Sequence, residues 1–158
     1  MNRDFLDLLG ALSVAEARFL IVGGYAVAAH GHVRATKDLD VWVEPVPDNA
    51  ARVMAALVSF GAPLSGLRES DLASPHYGFM MGAPPSRIDI LTTISGVTFA
   101  EAWPNRLVRQ LSESVSATFI GREELLANKA ASGRPQDLAD IVALRSLGSE
   151  PIRTSPAR

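Results

Sequence analysis

Apolar and polar positions along this chain change period several times, and each change marks an element. Phe5, Leu8, Leu9 and Leu12 recur at three- and four-residue steps, which predicts an amphipathic helix. "RFLIV" follows as an unbroken apolar run ending at Gly23-Gly24, as in a strand buried on both faces. "YAVAAHG" then reads as a short helix that stops near Gly31. "DLDVWVE" is a second strand, closed by "PVPD", in which Asp48 is expected to cap the next helix. That helix, "NAARVMAALVSFG", is expected to bury Val53, Met54, Leu57 and Val58 and to end at Gly61.

Further on, "GAPLSGLRESDLASP" is polar and turn-rich and is expected to be mobile. "HYGFMMG", "APPS" and "RIDILTT" in succession predict a hairpin, with a proline turn between its strands. "GVTFAEAW" opens another short helix before "PNR", and a strand is expected around "SATFI". "GREELLANKAASG" has acids in its first turn, a lysine near its end and a closing glycine, the charge order of a helix. Pro135 suits the first turn of the last helix, "PQDLADIVALRSLG". The organisation expected is a single domain over 1–148, followed by a polar tail, 149–158, expected to be disordered.

Composition narrows the class. A chain of 158 residues can bury about 70% of its unfolded surface without staples. The absence of cysteine excludes disulfides and thiolate metal sites. A net charge of -2 gives no global basic footprint, so a nucleic acid would have to be met by a local patch. "MNRDFLDLLG" lacks a basic leader, and the longest apolar run, Phe19–Ala29, is too short to span a bilayer. A cytoplasmic protein with no membrane partner is expected.

The chemistry starts at "DLDV". Side chains alternate along a strand, so Asp38 and Asp40 share a face while Leu39 takes the other. Two carboxylates about 6–7 Å apart cannot both be buried and charged without a partner. Hard divalent ions such as Mg²⁺ suit them, since these take one or two carboxylates together with substrate phosphates. Gly23 and Gly24 lie between a strand and a helix start, where free N–H groups and missing Cβ atoms favour phosphate. In "RIDIL", Asp89 opposes two apolar neighbours and would join the other carboxylates if its strand lies beside "DLDVW". Arg34 and Lys37, in the loop feeding the DLD strand, can meet phosphates by charge, and the fork of Arg34 suits a bidentate contact. Thr36 can hydrogen-bond in the same loop.

"VGG", thirteen residues and then "DLDV", with "RIDIL" later, resembles the core motif of the polymerase-β-like nucleotidyltransferase superfamily. "FLIVGGYAVAAHG", "RATKDLDV" and "NKAASGRPQDLADI" resemble, more narrowly, stand-alone bacterial nucleotidyltransferases related to abortive-infection toxins of type IV toxin–antitoxin systems. The second glycine stands where many members have a serine. The resemblance implies an α/β (α+β) nucleotidyltransferase fold: a small mixed β-sheet, helices packed on one face and a short C-terminal helical part. It implies transfer of a nucleoside monophosphate from an NTP to an acceptor hydroxyl, on RNA such as tRNA or on protein, by a toxin component with a cognate antitoxin. Asp38, Asp40 and Asp89 would be the catalytic residues and would ligate two Mg²⁺ (or Mn²⁺) ions. Gly23, Gly24, Arg34, Thr36, Lys37 and Lys129 would bind the nucleotide.

Two other readings remain open. The motif also resembles aminoglycoside and lincosamide adenylyltransferases, and a nucleotidyltransferase fold can serve as a non-catalytic interaction module. Among the remaining residues, His30, His32 and His76 lack metal spacing and read as structural or loop residues. Trp42 and Tyr25 read as packing, Asp137 as a helix-start acid and Asp140 as a surface charge.

Overall fold

The computed structural model describes residues 1–148; the expected tail, 149–158, lies outside them. Helix α1 (Arg3–Val14) begins where Asn2 accepts the Asp4 N–H at 2.7 Å. It buries Phe5, Leu8, Leu9 and Leu12 completely, each contributing about 1.5–3 kcal/mol. Strand β1 (Phe19–Val22) is buried at every position, as its unbroken apolar run requires. Helix α2 (Gly23–Ala29) follows without a linker, and strand β2 (Leu39–Val43) carries the DLD sequence.

Helix α3 (Pro47–Phe60) departs from the expectation in two respects. Val46, not Asp48, occupies the cap position, and Asp48 lies inside the first turn. The buried face includes Asn49, Ala50, Val53, Ala56 and Leu57, whereas Met54 is only partly covered and Val58 is 59% exposed. Asn49 explains the rotation. Its side chain accepts the Arg18 N–H at 2.7 Å and donates to the Arg18 and Glu44 carbonyls, both at 3.0 Å. That amide must face inward, and it turns Val58 out with it.

The passage expected to be mobile is anchored by Leu72 and Leu67, both buried, around the short helix α4 (Glu69–Leu72). The expected hairpin is present as β3 (Gly78–Met81) and β4 (Ile88–Leu91), with a cis Pro84-Pro85 bond in the turn. Helix α5 (Phe99–Ala102) is capped by Thr98, which accepts the Glu101 N–H, and runs into a 3₁₀ turn, Trp103–Asn105. Strand β5 (Leu107–Gln110), absent from the sequence reading, pairs antiparallel with β6 (Ser116–Phe119). Helices α6 (Arg122–Ser132) and α7 (Pro135–Gly148) complete the described chain.

The result is the expected mixed α/β (α+β) fold, with a six-stranded sheet in the order β3-β4-β2-β1-β6-β5. Strand β2 runs antiparallel to β1 and parallel to β4. Leu39, Val41, Ile88 and Ile90 share one face by alternation. A groove of about 670 Å³ between α1, α3 and the hairpin has Ile88 in its wall, which puts those two helices on that face. Asp40, Trp42, Asp89 and Leu91 take the other. There Phe99 of α5 meets Trp42 edge-on at 5.1 Å, and α6 and α7 close one end.

Candidate active site

Strand register brings the carboxylates together. Asp40 is the cross-strand neighbour of Asp89 on β4 and of Val22 on β1, so 48 intervening residues of chain separate two side chains about 5 Å apart at their backbones. Burial pushes the Asp40 carboxyl up first. The Asp89 charge, a hydrogen bond to Asp89 and the Asp38 charge push further, against the opposing Arg134 charge, to about 7. Protonated Asp40 donates to the Asp89 carboxylate, two acids in contact being unable to ionise together freely. Asp89 also accepts from Arg87 Nε at 3.2 Å. Asp38, at the mouth of β2, is half-buried and close enough for its charge to act on Asp40.

Gly23 is fitted to this pair. Its φ is 69°, and a Cβ there would overlap Asp40 Oδ2. Any side chain would therefore displace the carboxylate that the site is built around. Gly24 has a different function: a Cβ on it would strike Thr36, whose own Cβ would lie 2.7 Å away. The second glycine thus lets the loop before β2 pack down onto α2.

The cleft around Asp40 and Asp89 has a volume of about 640 Å³. Gly23 and Val22 border it on one side, Lys129 and Arg134 on another, and Tyr77 and Thr93 on a third. Of the expected nucleotide-binding residues, Gly23 and Lys129 line it. Lys37 is exposed and lies outside the lining. Thr36 covers Gly24 instead.

Arg34 makes a two-point contact, but with a protein carboxylate: Nε and Nη2 donate to the two Asp140 oxygens at 2.8 and 2.9 Å. Asp140 is fully buried, which corrects its reading as a surface charge. Lys129, 4% exposed, donates to Asp140 Oδ2 at 2.8 Å and Asp137 Oδ1 at 3.3 Å. Burial pushes the Asp140 carboxyl up, but bonds from Arg34, Lys129 and Gln136 and the Lys129 charge outweigh it and hold the carboxyl at about 2. Burial pushes the Asp137 carboxyl up as well, but hydrogen bonds from Arg134 and Lys129 and the Lys129 charge outweigh it and leave it below the usual range. Sequence reasoning missed this network because Arg34 and Asp140 are 106 positions apart, and nothing local signals that a helix acid faces inward.

The histidines lie where a structural or loop reading puts them, His30 bonded to the backbone and His32 and His76 in loops. His30 Nε2 bonds the Ile120 carbonyl at 2.8 Å. His76, read as a loop residue, borders the cleft in a left-handed conformation (φ 59°), its N–H donating to Thr93 Oγ1 at 2.9 Å. Tyr25 packs edge-on against Phe5, and Trp42 is core, its indole N–H donating to the Thr92 carbonyl.

The donor set fits a hard divalent cation. Two carboxyls in contact, one retaining a proton near neutrality, form a site that a cation would relieve, and Asp40 Oδ2 takes the space that a Cβ on Gly23 would fill. Among the described residues, however, no three histidine, cysteine or acidic side chains are arranged to hold an ion unaided. Also among them, no helix is long and apolar enough to cross a membrane. The chain has no match among curated proteins. The profile of a family described as "Nucleotidyltransferase of unknown function" (DUF6036) matches residues 6–148, and the protein therefore belongs to that family.

Proposed function

We propose that the protein transfers a nucleoside monophosphate from an NTP to an acceptor hydroxyl. The observation carrying this reading is the juxtaposition of Asp40 and Asp89 on neighbouring parallel strands, beside a glycine whose missing Cβ makes room for them. Asp40 and Asp89, with Asp38 beside them, would hold Mg²⁺ or Mn²⁺, two ions with the nucleotide bound. Such ions supply positive charge against the phosphate oxygens of an in-line displacement. In that displacement the acceptor oxygen bonds to the α-phosphorus as the bond to the β-phosphate oxygen breaks. Pyrophosphate leaves with the electron pair, and Asp89 is the proposed recipient of the hydroxyl proton. Gly23 keeps a side chain out of the space beside Asp40.

The acceptor is proposed to be RNA or a protein, with the biology of a toxin held by an antitoxin, on resemblance alone. The cleft lining mixes acids, Asp40, Asp89 and Asp137, with the cations Lys129 and Arg134, so charge favours neither an RNA rim nor an acid-lined drug pocket. The test is to incubate the protein with labelled ATP, GTP, CTP or UTP, Mg²⁺ or Mn²⁺, and total RNA, lysate protein or aminoglycosides. Label should move to RNA or protein, and Asp40→Asn should slow transfer about a hundredfold or more. Label on the aminoglycoside would favour drug modification. No transfer in any mixture, with Asp40→Asn matching the wild type in nucleotide binding, would overturn the enzymatic reading.

A further inference from the structure

The cleft carries an exposed cation that the resemblance did not assign. Arg134 sits at the joint between α6 and α7, just after Gly133 closes α6 at φ 64°. Its side chain is 77% exposed, yet it is held. Nε donates to Asp137 Oδ2 at 2.8 Å, Nη2 to Asp137 Oδ1 at 3.4 Å, and the backbone N–H to Oδ2 at 3.2 Å. Asp137 is buried and pinned from beneath by Lys129. One edge of the guanidinium is thus clamped, while Nη1 has no hydrogen-bond partner among the described residues. An exposed arginine ordinarily loses rotamer freedom when it binds; much of that loss has been met here by folding.

The other cations nearby are committed elsewhere. Lys129 is buried against two carboxylates, Arg34 is forked onto Asp140, and Arg87 is bonded to Asp89. Lys37 lies outside the cleft lining. Lys129, Arg34 and Arg134 face two buried acids, Asp137 and Asp140, which leaves one positive charge in excess. Arg134 is the most exposed of the three. It lines the cleft together with Asp40, Asp89 and Gly23, and its charge reaches Asp40. We infer that Arg134 binds the phosphates of the incoming nucleotide, with Asp137 as the positioning residue that presents its free edge and Lys129 as the buried counter-charge. This rests on the nucleotidyl-transfer reading and moves the phosphate contact from Lys129 to Arg134.

Titration calorimetry on the full chain with inorganic tripolyphosphate in EDTA, and with Mg²⁺ and each NTP, tests this. Arg134→Ala should weaken both about tenfold to a hundredfold, the equivalent of a charge-assisted hydrogen bond. It should lower the ligand-free melting temperature by only a few degrees, because Asp137 loses two side-chain donors but keeps the Arg134 backbone N–H and Lys129. Asp40→Asn should weaken only the metal-dependent binding. If Arg134→Ala binds tripolyphosphate and Mg²⁺·NTP as tightly as the wild type, this assignment is overturned and the transferase reading stands. If the wild type itself binds neither, that reading falls, and this assignment with it.

Discussion

At the scale of single residues, Asp40 is the group under most tension. Its carboxyl titrates near 7 in the folded, metal-free protein, against an ordinary 3.8. Between about pH 4 and pH 7 the folded state therefore holds a proton that the unfolded chain has released, so stability falls as pH rises through that window and levels off above it. Asp40→Asn removes the titration. Thermal melts of the metal-free variant at pH 8 should show a gain on the order of 2–4 kcal/mol over the wild type, shrinking towards nothing near pH 4. A substitution that slows the proposed transfer about a hundredfold or more while raising stability would mark a residue retained for chemistry. Gly23 is its complement. Gly23→Ala forces an alanine to φ 69° and its Cβ into Asp40 Oδ2, and should cost about 1–2 kcal/mol for the backbone alone. The overlap adds to this, and part of that addition should return in the Asp40→Ala background, measured as a double-mutant cycle.

At the scale of elements, the joint between α6 and α7 is where sequence and structure part most clearly. The helices themselves were legible: first-turn acids, a closing glycine and Pro135 predicted them. So were α1, from its periodic leucines, β1, from its apolar run, and the hairpin. Local pattern specifies an element, and it marks the DLD strand and the strand of Asp89, whereas their pairing, only a condition in the sequence reading, comes from the sheet. It does not specify how a helix is rotated, so pattern alone buries Val58 and puts Asp140 on the surface, and the structure reverses both. Edge strand β5, mostly exposed, has no apolar face to advertise it. The buried ions at the joint give its energetics a definite sign. Lys129→Met strands Asp137 and Asp140 with fewer partners and should cost about 3–5 kcal/mol in urea unfolding. The double variant Lys129→Met/Asp140→Asn should cost less than its two single changes added. Asp140, held at about 2, contributes stability that is present above about pH 4 and lost as pH falls towards about 2, of about 2 kcal/mol. Acid titration of the unfolding free energy should lose that component in Asp140→Asn.

At the scale of the whole molecule, the cleft draws on β1, β2, β4 and the α6–α7 joint, and so on nearly the full span of the described chain. No one segment can present it alone, and a ligand seated there ties the sheet to the C-terminal helices. Because among the described residues no three side chains make an ion cage by themselves, Mg²⁺ should bind weakly without nucleotide and more tightly with it, each strengthening the other by the same factor. Mg²⁺ with the preferred NTP at a hundred times its dissociation constant should stabilise the fold by about 2.7 kcal/mol. In a domain of this length that is a rise of about 5–10 °C in a single cooperative transition, read by differential scanning fluorimetry. Mg²⁺ alone at the same concentration should give only a small fraction of it, and EDTA should remove most of the nucleotide's effect while leaving the part owed to Arg134. A full rise from Mg²⁺ without nucleotide would mean that Asp38, Asp40 and Asp89 close into a cage of their own, and that the ion, rather than the nucleotide, organises the cleft.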